Sequence, residues 1–207
     1  MCLCGVSIAA IKCPAGPSKG LRSVFIKIVD EGLERLLRTE LPFPPSVGDI
    51  SFDTPTQMWS DRLRRSTINL FLFDISRSPQ PNRAPVRRVD QTGNAERRAP
   101  QPMIELNYMV SAWGDTAIDG HHLLGEVISR IAGLDVLPPE YLAENLTSSI
   151  YLSFVEDDRH RARDIWTGAG NMLRAGFSMH ATVAADSFDW APEPALITGI
   201  EGSATRR

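Results

Sequence analysis

Pro102-Met-Ile-Glu-Leu-Asn-Tyr-Met-Val-Ser-Ala-Trp113, followed after a short turn by His121-His-Leu-Leu-Gly125, decides how this chain folds. Ile104, Leu106, Tyr108 and Val110 alternate with Glu105, Asn107, Met109 and Ser111. That two-residue period is a β-strand whose sides meet different surroundings. After Gly120, Leu123, Leu124, Val127, Ile128 and Ile131 share one helical face, and Gly133 suits the C-terminal end. The spacing predicts a long strand, a turn in which Asp119 caps a helix, and an amphipathic helix. No catalytic constellation lies within this unit, which reads as scaffold.

Working outward, Ser66 to Ile75 places Ile68, Leu70 and Leu72 against Asn69, Phe71 and Phe73. Both sides are largely apolar, so this is a central strand, and Ile104 to Trp113 is its expected partner. Ile50 to Phe52 reads as a short strand. Ser23 offers a cap to a first helix carrying Val24, Phe25, Ile28, Val29, Leu33, Leu36 and Leu37, stopped by Pro42. Downstream, the pattern predicts a short helix at Tyr141 to Leu146, a strand at Ile150 to Val155 and a helical piece at Asp164 to Leu173. Phe177 to Val183 is a closing strand with Met179, Ala181 and Val183 inward. The expected fold is α+β, a largely antiparallel, mixed sheet packed with two main helices. Residues 1–20 read as a flexible leader, 21–185 as a single domain and 186–207 as a flexible tail.

Residues 76–101 differ in kind. They hold Pro79, Pro81, Pro85 and Pro100, and six arginines (Arg77, Arg83, Arg87, Arg88, Arg97, Arg98) against Asp90 and Glu96. A loop this long inside a compact domain is usually functional or disordered, and between paired strands it becomes an extended, basic hairpin tip. Arginine suits phosphate, but no aromatic residues interleave for base stacking, so a protein partner is the preferred reading.

The whole chain has 207 residues, 43% hydrophobic and 23% charged, with a net charge of -3, which is ordinary globular composition. Such a balance does not mark a dedicated nucleic-acid binder, and no apolar run reaches the roughly 20 residues that span a bilayer. Nineteen of the 22 basic residues are arginine, which also fits a compositional bias of the source. Cys2, Cys4 and Cys13 all fall in the leader, and their spacing matches neither a disulfide framework nor a zinc site.

Three groups could carry chemistry. His122 and Glu126 share a helical face but lack the order of a metalloprotease helix. Asp115, Asp119 and His121, and likewise Asp157, Asp158 and His160, sit in polar turns without a calcium-loop pattern. There is no phosphate loop, nucleophile elbow or dinucleotide fingerprint. The expectation is a protein without catalytic residues, metal or cofactor.

Several segments together resemble a family. Ile68-Asn-Leu-Phe-Leu-Phe-Asp-Ile75, Pro102 to Trp113 and the helix opening His122-Leu-Leu-Gly125 are similar to motifs of the cap, or tail-terminator, proteins of phage-tail-like extracellular contractile injection systems. Ile165-Trp166 and Phe177 to Val183 follow the closing pattern more loosely. The chain departs from the family at Ser76 to Arg83 and at His180, where an aromatic is usual. The resemblance implies a tail-terminator-like structural protein. Its copies would form a ring, expected to be sixfold, that closes inner tube and sheath opposite the baseplate. Assembly would be cytoplasmic, in a particle that can be released. Arg83, Arg87, Arg88, Arg97 and Arg98 are the candidate contacts to sister copies, tube or sheath. The competing readings are a baseplate or adaptor subunit, a nucleic-acid-associated factor and a small enzyme.

Overall fold

Helix α1 (Phe25–Glu40) forms because Phe25, Ile28, Val29, Leu33, Leu36 and Leu37 recur at the spacing that lines one side of a helix, and all are buried. Lys27, Glu31 and Arg35 pair along the exposed side, each step worth a few tenths of a kcal/mol. The computed structural model describes residues 25–143, 146, 148–154, 162–169 and 173–193. The expected Ser23 cap, the cysteine-bearing leader and the Asp157, Asp158 and His160 turn lie outside these residues.

Beyond the prolines the chain enters β1 (Gly48–Ser51) with the Phe43 ring laid on Gly48. A Cβ at position 48 would collide with that ring and lie 2.5 Å from the Ser66 carbonyl oxygen, so only glycine fits. A single turn, α2 (Gln57–Ser60), follows, capped by the Thr56 hydroxyl, which accepts from Trp59 N at 3.2 Å.

The main sheet has five strands in the order β1-β2-β5-β7-β6. Here β2 is Ser66–Arg77, β5 is Met103–Trp113, β6 is Tyr151–Ser153 and β7 is Gly176–Ala184. Only β1 and β2 run parallel; the other neighbours are antiparallel. Leu70 lies opposite Val110, Tyr108 opposite Met179 and Leu106 opposite Ala181. This register gathers the alternating apolar residues on one side, under α1 and α3 (Ala117–Ile131), in a continuous core. The expected α+β architecture, mixed sheet and two main helices are all present.

The opposite side is built differently. Thr67, Asn69, Asn107, Ser111, His180 and Thr182 are buried there despite being polar. Around them Met109, Trp113 and Trp166 make a second apolar cluster under α2 and α4 (Ala162–Gly168). Trp113 meets Trp59 edge-on at 5.2 Å and Trp166 at 6.1 Å between ring centroids. The β2–β5 register slips between Leu72 and Asp74, a bulge at Phe73 that sets Asp74 opposite Asn107. The Asn107 Nδ2 then donates to the Asp74 carboxylate at 2.9 Å.

Two expectations are corrected. Thr116, not Asp119, caps α3: its hydroxyl accepts from Asp119 N at 3.2 Å, while the Asp119 carboxylate accepts from Thr116 N at 3.1 Å. The helix therefore begins at Ala117, and Gly120 lies inside it, close to the Ala112 carbonyl. Of the helix expected at Tyr141 to Leu146, positions 144 and 145 lie outside the described residues, and the described ones show instead a 3-10 turn at Pro139–Tyr141, set by Pro138-Pro139. Residues 76–101, between the paired strands β2 and β5, hold regular structure of their own. They fold into a hairpin of β3 (Val86–Val89) and β4 (Ala95–Arg98), and β8 (Trp190–Pro192), from the expected tail, pairs with β4 to complete a second, three-stranded sheet.

Candidate interaction surface

The small sheet collects the candidate arginines. Antiparallel register sets Arg88 opposite Glu96, Val86 opposite Arg98, and Arg98 opposite Trp190. On that face Arg88 and Arg98 both lie over the Trp190 ring, at 4.1 and 4.8 Å from its centroid. Arg88 also meets the Glu96 carboxylate at 2.7 Å through Nε and Nη2. The opposite face carries Arg87 directly across from Arg97. Like charges so placed repel, and Arg87 is drawn to Glu193 at 2.8 Å. Arg98 reaches Asp186 at 3.8 Å. The Arg87 and Arg88 pairs reach solvent through their guanidinium groups and each is worth about 0–1 kcal/mol, so they order the surface more than they stabilise the fold, whereas Arg98–Asp186 is largely covered.

Arg83 sits at the base, where its backbone exchanges bonds with Gln101 (Arg83 N to Gln101 O 2.8 Å, the reverse 3.2 Å). The buried Gln101 amide in turn ties the base to 186–190, donating to the Phe188 carbonyl at 3.3 Å and accepting from its N–H at 3.4 Å. A cleft of about 230 Å³ opens between Arg83, Val86, Arg98, Gln101 and Trp190. In it Arg83 Nη1 and Arg98 Nε are covered yet have no hydrogen-bond acceptor among the described residues.

The structure thus brings all five predicted arginines to one projection. It also adds residues that the sequence reading missed: Trp190, Glu193 and Asp186, from a stretch read as tail. A second basic group, Arg64, Arg65 and Arg174, borders a cleft beside Trp113, with Arg174 stacked over that ring at 4.0 Å. The run Arg62-Leu-Arg-Arg65 was a visible signal for it.

Of the candidates for chemistry, Asp115 lines the Arg64, Arg65 and Arg174 cleft, and His121 borders a neighbouring one that also touches Arg174. His121 and His122 are exposed on α3, Glu126 is half-buried, and Asp119 is used in the cap. Among the described residues no group of three or more His, Cys, Asp or Glu is placed to hold a metal ion. No described helix is long and apolar enough to cross a membrane.

The fold is shared with solved structures. The chain superposes on the sheath/tube terminator of the PVC extracellular contractile injection system with a TM-score of 0.61 and 20% identity, covering 90% of this chain and 67% of that one. It superposes on the tube-terminating cap of the anti-feeding prophage with a TM-score of 0.60 and 18% identity, covering 85% of this chain and 60% of that one. It therefore spans about two thirds of the length of these neighbours. Among curated proteins none matches. Residues 28–198 match the Pvc16 N-terminal domain, and the chain belongs to that family.

Proposed function

We propose that this protein is a structural subunit that caps the tube and sheath of a phage-tail-like contractile injection particle, and that it is not an enzyme. The observation that carries this reading is the family match across residues 28–198, joined to a fold shared with two terminators of such particles. Copies assemble in the cytoplasm into a ring, sixfold as in the motif resemblance, at the end opposite the baseplate. A ring needs head-to-tail contacts that close by rotation, and a projecting sheet beside a rigid body supplies the two unlike surfaces. Arg83, Arg87, Arg88, Arg97 and Arg98 are its contacts to sister copies, tube or sheath.

Electron microscopy of particles made with and without the gene tests the reading. Without it, particles lose their uniform length and closed blunt ends. Unchanged length and ends would reject it. Within the same system, reversing Arg87, Arg88, Arg97 and Arg98 to glutamate lowers the fraction of capped particles while the purified chain keeps its circular dichroism.

A further inference from the structure

Both edges of the main sheet are covered in part. At one edge β6 is three residues long, and its outer side bonds residues 135–137: Leu137 N to Ile150 O at 2.9 Å and Leu152 N to Asp135 O at 3.0 Å. At the other, Gly48 of β1 is occupied on both groups, its N–H by Pro44 O at 3.2 Å and its carbonyl by Arg38 Nη1 at 2.8 Å. The edge of the small sheet at β3 has no such cover. Asp90 N donates to Asn94 O at 2.9 Å, so the bonded pairs of the ladder fall at Arg88/Glu96 and Val86/Arg98. The N–H and C=O of Arg87 and Val89 therefore turn outward, and among the described residues nothing bonds them. Val89 is 68% exposed and Val86 41%.

Arginines on an edge commonly discourage indiscriminate pairing. They do not discourage an acidic strand. Beside this edge lies the cleft described above, largely apolar, with the half-buried Arg83 guanidinium lacking any ion pair among the described residues. A covered guanidinium donor without an acceptor is costly, and a carboxylate offered from outside relieves it. The chain itself supplies such a partner: its net charge is -3 although residues 76–101 carry six arginines against two carboxylates, so the remainder is net negative.

We infer that β3 docks a second copy of this chain, by adding an extended acidic segment of that copy along Arg87 and Val89 with a carboxylate turned to Arg83. The inference deepens the ring reading and rests on it. Strand addition provides main-chain bonds, and the arginine cleft provides selectivity.

The test places a photo-crosslinking amino acid at Val89, in concentrated purified protein and in assembled particles. Copy-to-copy crosslinks are expected, mapping to a peptide that contains Asp or Glu. Arg83→Gln lowers their yield about tenfold, the effect of losing one charge-assisted hydrogen bond. Arg62→Gln, an exposed arginine away from the hairpin, leaves it unchanged. Thermal melts confirm that both variants fold, and Arg83→Lys restores part of the yield. Crosslinks only to tube or sheath proteins, no crosslinks, or a yield indifferent to Arg83 overturn the inference. Gold labelling of particle ends separates the two readings. If labelled ends carry Val89 crosslinked to another protein, the cap reading stands and this inference fails. If self-crosslinks form but particle ends carry no label, the cap reading fails and the copy-to-copy contact stands.

Discussion

Tyr108, in the middle of the sheet, donates through its hydroxyl to the Asp30 carboxylate on α1 at 2.6 Å. It is a polar tie between helix and sheet across the apolar layer. Burial raises the Asp30 carboxyl above its usual 3.8, outweighing the lowering by the Tyr108 bond, and Glu31 adds to the rise. Burial, then the nearby Asp30 charge, raise the Tyr108 phenol, so it remains a donor. A carboxyl whose folded pKa is raised keeps its proton longer in the folded state. Its contribution is full below 3.8 and declines as pH rises through the folded value. Asp30→Asn, which keeps an acceptor without the charge, is expected to equal or exceed the wild type at pH 7 and to flatten the loss above pH 4. Tyr108→Phe strands the carboxylate and costs about 1–3 kcal/mol. Urea denaturation across pH 4–7 measures both; an Asn variant weaker at pH 7 with the original pH slope would contradict the assignment.

At the scale of elements, the β3–β4 hairpin depends on one side chain. Asp90 Oδ1 accepts from Asn94 N at 2.7 Å and Thr92 N at 2.8 Å, and Gly93 takes φ of 87° to close the turn. The Asn94 amide, first, and the Thr92 hydroxyl hold the Asp90 carboxyl below its usual 3.8. For a lowered carboxyl the stabilisation is present above 3.8 and is lost as pH falls through the folded value. Hydrogen exchange corrected for intrinsic rates should show the bonded amides of the hairpin losing protection as pH falls below 3.8 while β2 and β5 keep theirs. Asp90→Ala should reproduce that loss at pH 7. The same hairpin shows where sequence reading stops. Strands β2 and β5 were legible because their two-residue period runs over 12 and 11 residues. The turn of α3 was half legible, since Thr116 and Asp119 form one reciprocal cap and sequence alone does not separate its two halves. The small sheet was hidden by its own composition: four-residue strands among prolines and arginines resemble a loop. Its third strand, Trp190-Ala-Pro192, sits almost a hundred residues away with nothing local to announce it. The arginines were visible as charge; that Arg87, Arg88 and Arg98 already engage Glu193, Glu96 and Asp186 depends on pairing that no local pattern encodes.

For the whole molecule, the two sheets rest on different supports. The five-stranded sheet is held by an apolar core shared with α1 and α3, in which Val29, Leu33, Leu70, Leu106 and Val183 are fully buried. The small sheet buries no strand residue; it is held by backbone pairing, ion pairs and the Gln101 clamp. Apolar burial contributes roughly 25 cal/mol per Å², so nearly all folding free energy resides in the first body. The small sheet is then a separate, weaker cooperative unit. Replacing residues 84–99 by a short Gly/Ser turn should leave a folded protein, with a cooperative thermal transition within a few degrees of the wild type by the scale of about 1 kcal/mol of loss. Its near-UV circular dichroism should keep the signal of the Trp59, Trp113 and Trp166 cluster and lose only that of Trp190. Added to particles in place of the wild type, the same chain should fail to close their ends. Loss of the cooperative transition would mean that the hairpin sheet belongs to the core; a deletion that still caps would mean that the contacts lie elsewhere on the body, with the Arg64, Arg65 and Arg174 cleft the next surface to reverse.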